Sequence, residues 1–334
     1  MTEFNLPSKS TIYRQIKDIG VSKATIKRIL PVWWNDELLQ SNSGFLQFVN
    51  LMSQRLGVSV SLDKGYVSFS PSNYSVQYKK RSHIDASQLS DATYLCHAIA
   101  NTLIGALQYN DRSPELSRLC ASLRSLEDLT LGSALPVFWD SNIPVIHVSH
   151  FPSNVARPAG MVMRNDNYYA IVLGHKHKSP STQLFVLLHE LGHIVSGHLK
   201  GDGSITDSLL PELGESLDVE TDTQEEEADA FALNILRKNV DISEKVSKLG
   251  RLSRPAELAI HAKRASSLLG VNAGHFALTY GRHTRDWILA QQALKFLEKG
   301  NAISTLRGSL DNALSSMDMR MDDREFLTTM QSGK

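Results

Sequence analysis

Cysteine is nearly missing from this chain. Cys96 and Cys120 are its only two thiols in 334 residues. Two thiols cannot build a disulfide framework or a thiolate-ligated zinc site, and so low a count fits a reduced, cytoplasmic compartment. Net charge is missing too: Lys+Arg and Asp+Glu each number 35. The molecule as a whole therefore has no electrostatic pull towards nucleic acid or a membrane surface. No apolar run approaches the roughly 20 residues that span a bilayer. The opening residues, MTEFNLPSKS, lack the apolar centre of a secretion signal, so we expect neither export nor a membrane partner. What is present is ordinary for a globular protein, 42% hydrophobic and 21% charged residues, in a chain long enough for two or three domains.

The most informative stretch runs from 179 to 199 and contains His189-Glu190-Leu191-Gly192-His193. On a helix, residues four apart share a face, so both imidazoles can reach one ion. Zn²⁺ takes imidazole nitrogen readily, and a catalytic zinc keeps one position for water, whose proton Glu190 is placed to accept. Ser179 suits a helix cap and Pro180 the first helical position. Leu184, Phe185, Leu187, Leu188, Leu191, Ile194 and Val195 make the helix apolar nearly all round, as in a core helix. A core helix with merely hydrogen-bonded histidines is the plainer alternative. The His-Glu-His spacing favours a metal site.

Two histidines do not complete a zinc site. A three-histidine pattern would need glycine and histidine where Ser196 and Leu199 stand; Gly197 and His198 are displaced by one, which turns His198 away, and we reject it as third ligand. Gln224 to Leu236 offers a better candidate. Read as a helix, its apolar stripe is Ala228, Phe231, Ala232 and Ile235. Glu225 falls on that stripe, while Glu226 and Glu227 turn towards solvent. A carboxylate on a buried face needs a partner, and a cation is a good one. Asp229, four residues on, can hydrogen-bond a ligand imidazole. An acidic first helical turn would be the alternative; beside His189 and His193 the ligand role is favoured.

Elsewhere the pattern is coarser. Ile12, Ile16 and Ile19, then Ile26, Ile29 and Leu30, mark two short helices around Gly20-Val21-Ser22, which looks like part of a helix-turn-helix. Residues 9–30 carry six Lys/Arg against one Asp, so Lys23, Lys27 and Arg28 are candidate DNA contacts. A helical pair packed on the rest through Trp33 and Trp34 is the alternative. Residues 58–70 suggest a hairpin turning at Asp63-Lys64-Gly65, and 71–83, with Lys79-Lys80-Arg81, a linker or exposed loop. Helices fit 87–109 and 114–127. From 135 the period changes, and 135–139, 144–148, 160–163 and 168–173 read as short strands. From Gly201 to Leu236 there are eleven Asp/Glu and no Lys or Arg, and 201–224 reads as a mobile loop over the cleft. Residues 237–308 reverse the charge and look helical. His261, His275, Tyr280 and His283 are candidate oxyanion donors there.

Residues from about 87 to 240 resemble the ImmA/IrrE family of metallo-endopeptidases. The carrying residues are Asn142 to Val148, His189 to Ile194, and Glu225-x-Glu227-Ala228-Asp229-x-Phe231-Ala232. The resemblance implies a zinc protease with Glu225 completing the His189/His193 site and a single Zn²⁺ per chain. It also implies a cytoplasmic protein that cleaves a helix-turn-helix repressor in stress response or mobile-element control. The expected fold is α+β. It is mainly helical, with a small, mostly antiparallel sheet packed on the His189 helix in zincin fashion, whose edge strand could take up an extended substrate. The expected division is an N-terminal helical segment (1–70), a metallopeptidase domain (84–240) and a helical C-terminal region (241–334). The alternative function is a DNA-binding regulator, or an antitoxin-like interaction protein, that uses the peptidase-like domain as sensor or scaffold.

Overall fold

The computed structural model describes residues 6–63, 66–70, 74–79, 86–151, 156–207, 223–238 and 240–332. Serine caps open the first two helices, α1 (Lys9–Asp18) and α2 (Lys23–Ile29): Ser8 Oγ accepts from the Thr11 N–H and Ser22 Oγ from the Thr25 N–H. After a 3₁₀ stretch at Asp36–Gln40, α3 (Asn42–Leu56) stops at Gly57, which adopts the left-handed conformation with φ of 66°. A hairpin of β1 (Ser59–Asp63) and β2 (Tyr66–Ser70) follows. Its expected turn at 64–65 lies outside the described residues.

The polar stretch after the hairpin was expected to be linker. Instead Ser75–Lys79 forms β3, paired in parallel with residues 203–207. Its hydrogen bonds go to a partner more than a hundred residues away, which local composition cannot reveal. Lys80 and Arg81 lie outside the described residues. Next come α4 (Ala86–Tyr109), α5 (Leu116–Ser125) and α6 (Leu131–Asp140). The expected strand at 135–139 is the second half of α6. Thr130 and Ser133 form a reciprocal capping box, and Leu131, Ala134, Leu135 and Phe138 are buried at helical spacing. The cap and the stripe outweigh the cost of Pro136 inside the helix.

Three strands follow: β4 (Val145–His147), β5 (Gly160–Asn165) and β6 (Tyr168–Leu173). Asp166 and Asn167, both at positive φ (49° and 64°), make the tight β5–β6 turn. Helix α7 (Pro180–Val195) carries the His-Glu-His motif, capped by Ser179 as its sequence implies. It leads to β7 (Gly203–Asp207) and α8 (Thr223–Arg237). Strand β7 is a correction to the loop expected over 201–224; residues 208–222 of that loop lie outside the described residues. Six helices finish the chain: α9 (Ser243–Ser247), α10 (Pro255–Leu269), α11 (Ala273–Thr284), α12 (Trp287–Leu297), α13 (Ala302–Ser316) and α14 (Met321–Ser332).

The fold is α+β and mainly helical. The five-stranded sheet is mixed, in the order β3-β7-β5-β6-β4. Strand β5 is antiparallel to β6 and β7, while the outer pairs β3–β7 and β4–β6 are parallel. Strand β3 thus occupies the sheet edge beside β7. Period-two alternation divides the core. Met161, Met163, Ala170 and Val172 face α4 and the N-terminal helices, while Val162, Ile171 and Leu173 face α7. A third cluster packs α9 to α12 together.

The N-terminal helices belong to the first of these layers. The Tyr94 hydroxyl donates to the Ile19 carbonyl at 2.9 Å, and the Ser22 hydroxyl and N–H both donate to Asp91. Buried Arg55 reaches the Ile29 carbonyl, pairs with Asp323 at 3.1 Å and lies over the Phe326 ring. No helix among the described residues is long and apolar enough to cross a membrane.

Candidate metal centre

Helix α7 is buried from Ser181 through Ile194, so the side chains of His189, Glu190 and His193 are out of water. Two glycines let other elements close on it. A Cβ at Gly192 would lie 2.8 Å from the Ala228 Cα and carbonyl oxygen, so α8 crosses α7 at backbone contact there. That crossing brings Glu225 and Asp229 to the histidines. A Cβ at Gly160 would lie 1.9 Å from Glu190 Oε1, so β5 makes room for the Glu190 carboxylate by lacking a side chain.

The histidines are oriented from behind. His189 Nδ1 lies 2.8 Å from Asp229 Oδ1 and donates to it, which leaves Nε2 with a lone pair. His193 Nδ1 lies 2.8 Å from His198 Nδ1, and His198 Nε2 lies 2.9 Å from Glu227 Oε2. With His198 Nε2 donating to Glu227, His198 Nδ1 accepts the His193 Nδ1–H, and the His193 lone pair is again on Nε2. His198 is therefore away from the converging atoms, as its displaced spacing implied, yet it supports one of them. Glu227, read as turned towards solvent, has a 62% exposed side chain and anchors this relay.

Both Nε2 atoms face one point. They are 3.2 Å apart. Glu225 straddles the pair, Oε2 at 3.5 Å from His189 Nε2 and Oε1 at 3.4 Å from His193 Nε2. A fourth group, Asp207 at the end of β7, places Oδ2 3.2 Å from His189 Nε2 and 3.4 Å from His193 Nε2. One ligand atom from each of His189, His193, Asp207 and Glu225 lies within 4.8 Å of the others. Zinc bonds to such nitrogens and oxygens at about 2.0–2.2 Å, which puts tetrahedral ligand–ligand edges at about 3.3–3.6 Å. The separations here match those edges closely. Lone pairs facing carboxylate oxygens at these distances repel unless a proton or a metal ion lies between them.

The electrostatics point the same way. Glu190, Asp207, Glu225 and Asp229 surround two imidazoles. Burial opposes charge on His189, but the Asp207, Asp229 and Glu225 contacts overcome it and push its pKa well above the usual histidine range. Burial, then the Asp207 charge, pushes Glu190 well above the carboxylate range. Burial would also raise Asp207, but the His193 and His189 contacts hold it well below its usual value. Both oxygens of buried Glu190, Asp207 Oδ1 and Glu225 Oε1 have no hydrogen-bond partner among the described residues. A cluster this rich in buried carboxylate calls for a cation, and the donor set fits zinc.

Sequence reasoning missed Asp207. Gly203-Ser204-Ile205-Thr206-Asp207 sits inside an acidic, turn-rich stretch, and only the β-branched pair Ile205 and Thr206 hints at a strand. The N-terminal candidates lie elsewhere. Arg28 Nη1 donates to the His150 carbonyl at 2.8 Å, Lys23 stands 5.1 Å over the Tyr13 ring, and Lys27 with Arg28 lines a surface cavity of about 770 Å³. Of the oxyanion candidates, Tyr280 is buried and bonded to the Gly250 carbonyl and the Leu252 N–H, and His275 stacks on Phe185 and accepts from Arg237 Nε.

Residues 146–261 match the Peptidase_M78 family model, described as an IrrE N-terminal-like domain. That span begins within β4 and contains β5 to β7, α7, α8 and all four converging ligand groups. No curated protein matches the chain.

Proposed function

Starting from residues 146–261 as an IrrE N-terminal-like, metallopeptidase-like domain, we propose that the protein is a zinc-dependent endopeptidase that cleaves a specific regulatory protein, such as a helix-turn-helix repressor. The observation that carries this reading is the placement of Glu190. It is buried, without a hydrogen-bond partner among the described residues, and one residue from a histidine of the converging cluster. A structural site has no use for such a group, whereas hydrolysis needs a base there.

In this reading His189, His193 and Glu225 hold the metal, and Asp229 and His198 fix the ring orientations. When bound, zinc supplies Lewis acidity to the scissile carbonyl and lowers the pKa of water. Glu190 accepts the proton of the attacking water and passes it to the departing amine. Its pKa, raised by burial and then by the Asp207 charge, makes it a stronger base than an ordinary carboxylate, which suits it to accept that proton. Burial of α7 from Ser181 through Ile194 excludes bulk water from the exchange. Cytoplasmic regulatory proteins are the proposed substrate class, and stress response or mobile-element control the proposed setting.

The test compares protein N-termini in cells expressing wild-type chain and Glu190→Gln. The reading expects a new N-terminus from one regulatory protein, present only with wild type. Identical N-terminal profiles, together with an unchanged phenotype, would defeat it and favour a scaffold or DNA-binding role.

A further inference from the structure

The converging cluster contains one ligand group more than a working peptidase centre uses. Catalytic zinc sites keep one position free of protein, whereas sites with four protein ligands are structural and closed. Here Asp207 is completely buried, and its single Oδ2 stands at tetrahedral-edge distance from both histidines, whereas Glu225 meets them with one oxygen each. Its main chain is fixed as well, because Asp207 pairs with Gly160 across β5–β7 and its carbonyl accepts the Ala159 N–H at 2.6 Å. Gly160 is the residue that faces Glu190. Asp207 thus stands beside the base, where an attacking water would have to be.

We propose that Asp207 is a displaceable fourth metal ligand that keeps the centre closed and the peptidase latent. This rests on the proposed zinc centre and adds its regulation. Asp207 occupies the open coordination position until its side chain swings away, and only then can water and a substrate carbonyl enter beside Glu190. Its position favours such a role. It comes from a strand of the sheet, whereas the other three ligands come from helices α7 and α8. Oδ1 makes no hydrogen bond among the described residues, so the contacts that a swing of the carboxylate gives up there are those of Oδ2 with the two histidines.

The test uses the full-length chain and the near-isosteric Asp207→Asn, checked for folding by circular dichroism. Zinc affinity is measured by chelator competition. Access is measured by titrating the cobalt-substituted proteins with acetohydroxamate and following the visible spectrum. The proposal expects Asp207→Asn to bind zinc at least roughly tenfold more weakly, a scale on which even the hydrogen-bond partners of ligands act. It expects the cobalt spectrum to respond to acetohydroxamate in Asp207→Asn but not in wild type. Equal zinc affinity in the two chains, or a wild-type spectrum that already responds, overturns Asp207 as the closing ligand and leaves the peptidase reading standing. A wild-type chain that binds no zinc removes both. If Asp207→Asn fails to fold, the wild-type titration alone decides: a response to acetohydroxamate refutes closure, and silence supports it.

Discussion

Each imidazole at the centre owes its direction to a neighbour. Asp229 holds His189, and His198 backed by Glu227 holds His193. The two supports differ in setting, since the Asp229 side chain is 16% exposed and the Glu227 side chain 62%. An exposed carboxylate is screened by water, so the relay through His198 depends mainly on His198 itself. Asp229→Ala and His198→Ala are each expected to weaken zinc binding by about 10- to 100-fold, and Glu227→Gln by much less. Chelator competition on the purified variants measures this; an unaffected His198→Ala would show that His193 needs no support. At this scale much was legible. The four-residue spacing put His189 and His193 on one face, and the apolar stripe of 224–236 carried Glu225 and Asp229 with it. Asp207 was not legible, because a lone aspartate in an acidic stretch has no local mark until its strand is placed.

The contact of α7 with α8 makes the centre, and Gly192 makes that contact. It stands one residue before His193, and an added methyl would meet the Ala228 backbone at 2.8 Å, where no flexible side chain can yield. Gly192→Ala should force the helices apart, at a cost of about 1–3 kcal/mol in stability, and weaken zinc binding because Glu225 moves with α8. Gly105→Ala, at a helical position with nothing within 4 Å of the new Cβ, is the control. Denaturant midpoints and zinc affinity of both variants decide the point, and a Gly192→Ala chain that matches the control on both would contradict it. Helices with caps and long apolar stripes, such as α4 and α7, could be read from sequence. Strands β3 and β7 could not. Each is short and polar, and they pair with each other across more than a hundred residues, β7 pairing with β5 on its other side. Helix α6 misled for the opposite reason: Pro136, Val137, Phe138 and Trp139 suit a strand locally, and the cap at Thr130 decides otherwise.

Across the whole molecule, the packing layers are held by buried polar groups as well as by apolar surface. Three of these are histidines kept neutral. Burial depresses His97 and His147 to about 4, and burial with the Arg237 charge depresses His275 to about 3. An unfolded chain protonates the same residues near the ordinary histidine value of about 6.5. Between that value and the folded pKa the unfolded state binds more protons, so stability is complete above about pH 6.5 and falls as pH drops towards 4. The loss is expected to approach ~1.4 kcal/mol per pH unit for each histidine. Urea midpoints at pH 7.5 and 5.0, taken with chelator present so that metal release adds nothing, should show the decline. His97→Gln should flatten part of it, whereas a wild-type and a His97→Gln chain with the same pH dependence would count against neutral burial. The layered α+β plan followed from the order of helical and strand-like stretches. Cross-layer ties such as Arg55 to Asp323 did not, since their partners are 268 positions apart.

The proposed peptidase centre requires that His189, His193 and Glu225 hold a metal beside Glu190. Metal content by plasma mass spectrometry tests it most directly, on the full-length chain with Glu225→Gln and Glu226→Gln alongside. The prediction is about one zinc per wild-type chain, retained in Glu226→Gln and largely lost in Glu225→Gln. A wild-type chain that neither carries nor takes up zinc, or a Glu225→Gln chain that keeps its full content and affinity, would contradict it.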